Sequence, residues 1–192
     1  MSTAKGFTLL ELLTVLSILS ILIAISGSYS DIVRSNQITT HAQDFITAIK
    51  YMRTKAINSN QRITLCKSDA GILPRKCRHD HGASSWDQGY IIFVDVNNDQ
   101  ELTDPDTQLL RVTDRFPHSL KLYGNSPVQD YLSYDGSGFS SSQTGAIQMG
   151  SFILCDELNA NASSRHLFIA SSGRVRSVIT NKDFTECAIP KD

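Results

Sequence analysis

Near the C-terminus stands Gly173-Arg174-Val175-Arg176, two guanidiniums one residue apart. Each offers a planar fork of N–H donors suited to phosphate oxygens, and on a strand of period two both point to one face, about 7 Å apart. Ser171-Ser172-Gly173, between Leu167-Phe168-Ile169-Ala170 and Val175, is turn chemistry, with glycine supplying positive φ, so the pair should ride on a hairpin. Lys182 and Arg165 would widen this small anion-binding edge. The competing reading pairs the arginines with Asp156, Glu157, Asp183 or Glu186, in which case they only solubilise a sheet edge.

A second chemical question sits at the other end. Residues 7–25 are apolar apart from Thr8, Thr14, Ser17, Ser20 and one carboxylate, Glu11. The hydroxyls can bond back to helix carbonyls. A charge within a membrane-spanning helix costs about 2.5 to 3.5 kcal/mol on insertion scales, so Glu11 needs a partner. An ordinary signal peptide keeps acids out of its apolar region, which argues against that reading.

Other clusters carry weaker signals. Arg75-Lys76-Cys77-Arg78-His79-Asp80-His81 is locally basic, as a second anion contact, a face toward another protein or a solvated loop. Zinc ligation by Cys66, Cys77, His79 and His81 is conceivable from ligand type alone. Asp95-Val96-Asn97-Asn98-Asp99-Gln100-Glu101, with Asp106 eleven residues after Asp95, is similar to an oxygen-rich calcium loop, but Gln100 stands where a sharp loop wants glycine. A polar turn is the simpler reading, and neither metal nor cofactor is expected. No nucleophile or phosphate-loop motif accompanies the five histidines, so the chain is not expected to be an enzyme. A net charge of -1 excludes a generally basic nucleic-acid binder, so any such binding is local.

These groups need elements to position them. Ile38, Ala42, Phe45, Ile49, Met52 and Ala56 recur in steps of four and three, one stripe along an amphipathic helix. Joined to the apolar start, this predicts one helix from Phe7 to about Asn58, on the order of 75 Å long, with Ser26-Gly27-Ser28 and Ser35-Asn36 as places to bend. Short runs rich in branched and aromatic residues follow at 62–66, 89–94, 109–112, 120–123, 146–154, 165–170 and 174–178, reading as antiparallel strands. The class is α+β, a long N-terminal helix packed against an antiparallel sheet that covers its stripe. The Ser- and Gly-dominated segment 136–145 reads as a mobile surface loop.

Lys5-Gly6-Phe7-Thr8-Leu9-Leu10-Glu11-Leu12 resembles the leader junction of type IV prepilins and type II secretion pseudopilins. Phe45, Ile49, Arg53, Ala56 and Asn60 with Ile63-Thr64-Leu65-Cys66, then residues 86–95, Leu109-Leu110-Arg111-Val112, 152–156 and 173–176, resemble the GspH/FimT group of minor pilins and pseudopilins in their order. The resemblance implies cleavage by a prepilin peptidase after Gly6, N-methylation of Phe7, and an assembly role for Glu11 opposite a neighbour's N-terminus. It divides the chain into a leader (1–6), a transmembrane and filament-core helix (7–26), its amphipathic continuation (27–60) and a periplasmic β domain (61–192). Localisation follows as the bacterial inner membrane before assembly and the cell surface in the pilus, with other pilins as partners. In that compartment four cysteines suggest disulfides; Cys66 with Cys77 and Cys155 with Cys187 is one of three connectivities.

In the same group a Gly-Arg-x-Arg element near the C-terminus is understood to bind DNA during natural transformation, which implies DNA as a partner of Arg174 and Arg176. A structural minor pilin similar to FimU, priming or capping the filament, and a type II secretion pseudopilin without DNA binding remain as alternatives.

Overall fold

Thr8 opens the main helix by a local device: its Oγ1 accepts from the Glu11 backbone N–H at 3.3 Å. This satisfies one of the donors a helix start leaves unpaired, and Thr-x-x-Glu is the capping-box spacing. The structure, a computed structural model, describes the backbone of residues 6–69, 71, 73–79, 85–158 and 164–180, and their side chains apart from those of 25–32 and 180. Helix α1 runs Leu9–Ser59, 51 residues, and stays helical through Ser26-Gly27-Ser28 and Ser35-Asn36. Thr14, Ser17 and Ser20 each return a hydroxyl to a carbonyl one turn back at 2.8 Å, as polar groups in an apolar segment should. Asn60 ends α1 in the left-handed region with φ 52, donating its N–H to the Ala56 carbonyl.

Among the described residues no helix is long and apolar enough to cross a membrane. The apolar start of α1 has described side chains up to Ala24. These side chains are exposed in the isolated chain, Phe7, Leu9 and Leu10 above 70%.

The second half of α1 behaves as its periodicity predicts. All six stripe residues, Ile38, Ala42, Phe45, Ile49, Met52 and Ala56, are at most 3% exposed. Phe45 lies at the centre of an aromatic cluster, edge-on to Trp86, Tyr90 and Phe152 at centroid distances of 6.0, 5.3 and 4.9 Å. Edge-to-face packing sets positive ring edges against negative faces, adding to the area that three aromatics remove from water.

Among the described residues eight strands cover the stripe: β1 (Ile63–Lys67), β2 (Tyr90–Val94), β3 (Leu109–Thr113), β4 (Leu120–Gly124), β5 (Tyr131–Tyr134), β6 (Gly150–Asp156), β7 (Ser164–Ile169) and β8 (Val175–Thr180). They form two four-stranded antiparallel sheets, ordered β3-β2-β1-β5 and β4-β6-β7-β8, where one sheet was expected. β5 has no counterpart among the expected strands. The short helix α2 (Pro105–Gln108) precedes β3.

The Ser/Gly segment corrects the expectation of a loose loop. Its polar density closes turns. Asp135 accepts the N–H of Ser137 at 2.9 Å, Ser142 and Gly145 close the next turn, and Ser140 and Ser141 are buried. The buried Gln148 amide ties the segment to β5, donating to the Tyr131 carbonyl at 2.9 Å and accepting from the Ser133 N–H at 3.1 Å.

Cys66 and Cys77 form a disulfide, with Cα atoms 5.5 Å apart. Cys66 belongs to a smaller apolar cluster with Ile91, Phe93 and Leu102, on the face of β1–β2 turned away from α1. Replacing both cysteines by alanine is expected to cost about 2 to 4 kcal/mol, chiefly by freeing the unfolded chain, and urea unfolding with and without reductant checks it. Cys155, on β6, is also disulfide-bonded, and its expected partner Cys187 lies outside the described residues.

Candidate functional site

β7 and β8 pair Phe168 with Arg176 and Ile169 with Val175. The connection is closed by two backbone bonds, Gly173 N–H to the Ala170 carbonyl at 2.8 Å and Ala170 N–H to the Arg174 carbonyl at 2.9 Å. Gly173 has φ +72, as the Ser-Ser-Gly sequence predicts. Space demands glycine there as well: a Cβ would stand 2.5 Å from the Gly138 carbonyl oxygen and 2.7 Å from Tyr134 Cε1.

Three further groups hold this tip. The Tyr134 hydroxyl, from the end of β5, donates to the Gly173 carbonyl at 2.7 Å. Arg53, from α1, donates through Nε to the Gly138 carbonyl at 2.8 Å and through Nη2 to the Ser172 carbonyl at 3.1 Å. Burial pushes the Tyr134 phenol well above the ordinary tyrosine range, the Arg53 charge pulling the other way, so the hydroxyl stays a neutral donor. The hairpin tip is thereby bonded to α1 and to the other sheet at once.

From that tip Arg174 and Arg176 project as exposed side chains, with Val175 between them half-buried against the core. This is the alternation a strand imposes. Among the described residues neither arginine forms an ion pair. Of the acids named as their competing partners, Asp156 lies 3.7 Å from Arg34 of α1. Asp183 and Glu186 lie outside the described residues, as does Lys182. Arg165 does not join the pair: it lies opposite Ile179 on the face that Leu167 and Ile169 turn inward, and its Nη2 donates to Thr39 Oγ1 of α1 at 3.0 Å. Phe168, 45% exposed, shares the outer face with Arg176.

The second basic segment is largely occupied with its own chain. Arg78 pairs with Asp69 and donates to the Ser85 carbonyl, Arg75 donates to the Asp69 carbonyl, and His79 Nε2 lies 3.0 Å from Glu101. With Cys66 and Cys77 oxidised, their thiolates are not available as zinc ligands. His81 lies outside the described residues. The Asp95 carboxylate, buried, accepts from Thr64 Oγ1 at 2.9 Å and from the N–H groups of Asp99 and Gln100, so it caps a turn from within. Among the described residues no three His, Cys, Asp or Glu side chains are grouped to hold a metal.

At the N-terminus, Gly6 and Phe7 precede α1 as exposed residues, and Glu11 is exposed on its first turn. Arg53 and Tyr134, which hold the tip, were not legible as site residues. The available signal was Arg53 itself, a charge one position from buried Met52 at the border of the apolar stripe.

A long N-terminal helix with an exposed apolar start and a second half covered by antiparallel sheets is a type IV pilin-like fold. The chain belongs to the GspH family: residues 41–176 match the family described as type II transport protein GspH. Residues 1–27 match the prokaryotic N-terminal methylation motif. The fold is similar to the type IV minor pilin FimU of Pseudomonas aeruginosa in two crystal forms. One shows TM-score 0.54 and 19% identity over 73% of this chain and 87% of that one; the other shows 0.52 and 18% over 73% and 91%. The minor pseudopilin EpsH of the Vibrio cholerae type 2 secretion system aligns at TM-score 0.46 and 11% identity, over 74% of this chain and 97% of that one. No curated protein sequence matches the chain significantly. The chain is thus a minor pilin or pseudopilin, a membership that implies peptidase processing and assembly with other pilins.

Proposed function

We propose that this minor pilin binds DNA without sequence preference through Arg174 and Arg176, in a type IV pilus that takes up DNA for natural transformation. The observation that supports this most directly is the pair of exposed guanidiniums on a locked hairpin, with no ion-pair partner among the described residues. A fixed tip spares the entropy of ordering two long side-chain carriers on binding, and contacts to phosphate carry no base information. Residues 7–26 anchor the chain in the inner membrane after cleavage at Gly6, and Glu11 meets the N-terminus of a neighbour in the filament, where two buried charges offset each other.

The test is DNA binding by the full chain in neutral detergent. Arg174→Ala with Arg176→Ala is expected to weaken binding about 10- to 100-fold on every sequence, and to flatten the slope of log K against log salt by about 1.8, two released counterions. Retardation unchanged in the double variant sinks the DNA reading and leaves a structural minor pilin or a secretion pseudopilin.

A further inference from the structure

An open groove of about 410 Å³ lies between α1 and the hairpin tip. Lys50, Arg53 and Arg174 line it together with Thr54; Ile57 and Val175 add apolar surface, and among the described residues no Asp or Glu lines it. Lys50 and Arg53 are three residues apart on one helix and therefore on one face. Arg53 spends two nitrogens on carbonyls, which satisfies donors without neutralising its charge. Among the described residues neither Lys50 nor Arg174 forms an ion pair. Three positive charges therefore share a concave, solvent-open site with no counter-charge among the described residues, which raises the local concentration of anions.

We infer that this groove is a second phosphodiester site, in which Lys50 and Arg174 hold one backbone phosphate of DNA and the Thr54 hydroxyl donates to it. The inference rests on the DNA-binding reading and extends the path of the strand from the exposed edge at Arg176 over the tip onto α1. Lipid headgroups are out of reach: Lys50 stands 24 residues beyond Ser26, where the proposed anchor ends, about 36 Å along the helix. The half-exposed Ile57 gives the sugar an apolar surface beside the charges.

The experiment compares the full chain in neutral detergent with Lys50→Gln, Lys50→Arg, Arg176→Gln and Lys50→Gln/Arg176→Gln, using a mixed-sequence duplex over a range of salt. Lys50 is exposed on the helix surface, so equal thermal unfolding of all variants is the folding control. Lys50→Gln should weaken binding about 3- to 10-fold, flatten the salt slope by about 0.9, and add to the loss from Arg176→Gln, whereas Lys50→Arg keeps the slope. Wild-type affinity and slope in Lys50→Gln, beside a weakened Arg176→Gln, overturns the groove alone. Failure of the unaltered chain to retard DNA overturns both this site and the DNA reading. Unchanged DNA binding with lost incorporation into pili assigns the groove to an acidic neighbouring subunit and overturns it too.

Discussion

Gly173→Ala should destabilise the protein by about 3 kcal/mol and weaken DNA binding although both arginines remain. A side chain at φ +72 costs about 1 to 3 kcal/mol wherever it occurs. At this position the new methyl also meets the Gly138 oxygen at 2.5 Å and the Tyr134 ring at 2.7 Å, and both belong to segments fixed by their own hydrogen bonds. Relief by moving the tip would break the Tyr134 and Arg53 bonds, each worth about 1 kcal/mol net. Gly145 is the matched control, with φ +82 and nothing within 4 Å of its would-be Cβ, so its alanine variant carries the backbone cost alone. Urea unfolding midpoints of the two variants decide the matter. Equal losses would mean that the tip is not packed as described.

Phe45→Ala is expected to cost about 3 to 5 kcal/mol, a large part of the stability of a domain this size. Phe45 is 1% exposed and its ring touches three aromatics from two directions of the fold, so truncation leaves a cavity that no single side chain can fill. The apolar helix start, exposed over its described side chains, is not among the residues of this core. Phe139→Ala, at a residue 49% exposed, should change stability by less than about 1 kcal/mol. A Phe45→Ala loss no larger than that of Phe139→Ala in the same denaturant titration would show that the helix stripe is not the keystone of the core.

What the sequence reveals here is what is local. The stripe from Ile38 to Ala56 is a periodicity, and every member is buried; the Ser-Ser-Gly turn is a backbone requirement, and Gly173 meets it. Contacts joining distant segments carry no such mark. Arg53 reaches Ser172 across a separation of 119 residues, and Tyr134 reaches Gly173 across 39. β5 is only four residues, too short for its alternation to stand out, and the Ser/Gly segment after it looks loose because small polar residues make turns as readily as they make loops. Arg165 is a different case. It stands two residues before Leu167 and four before Ile169, so strand parity alone places it on the inward face, away from Arg176.

The bonds from Arg53 to Ser172 and Gly138 have a mechanical meaning once the chain is part of a fibre. A tug on whatever Arg174 holds would arrive at α1 directly, through side-chain bonds to the second turn from its end, without first loading the two sheets in series. Were α1, with its exposed apolar start, the element that seats the subunit, tension would pass from cargo to spine by the shortest route the fold offers. The sheets would then be spared from peeling.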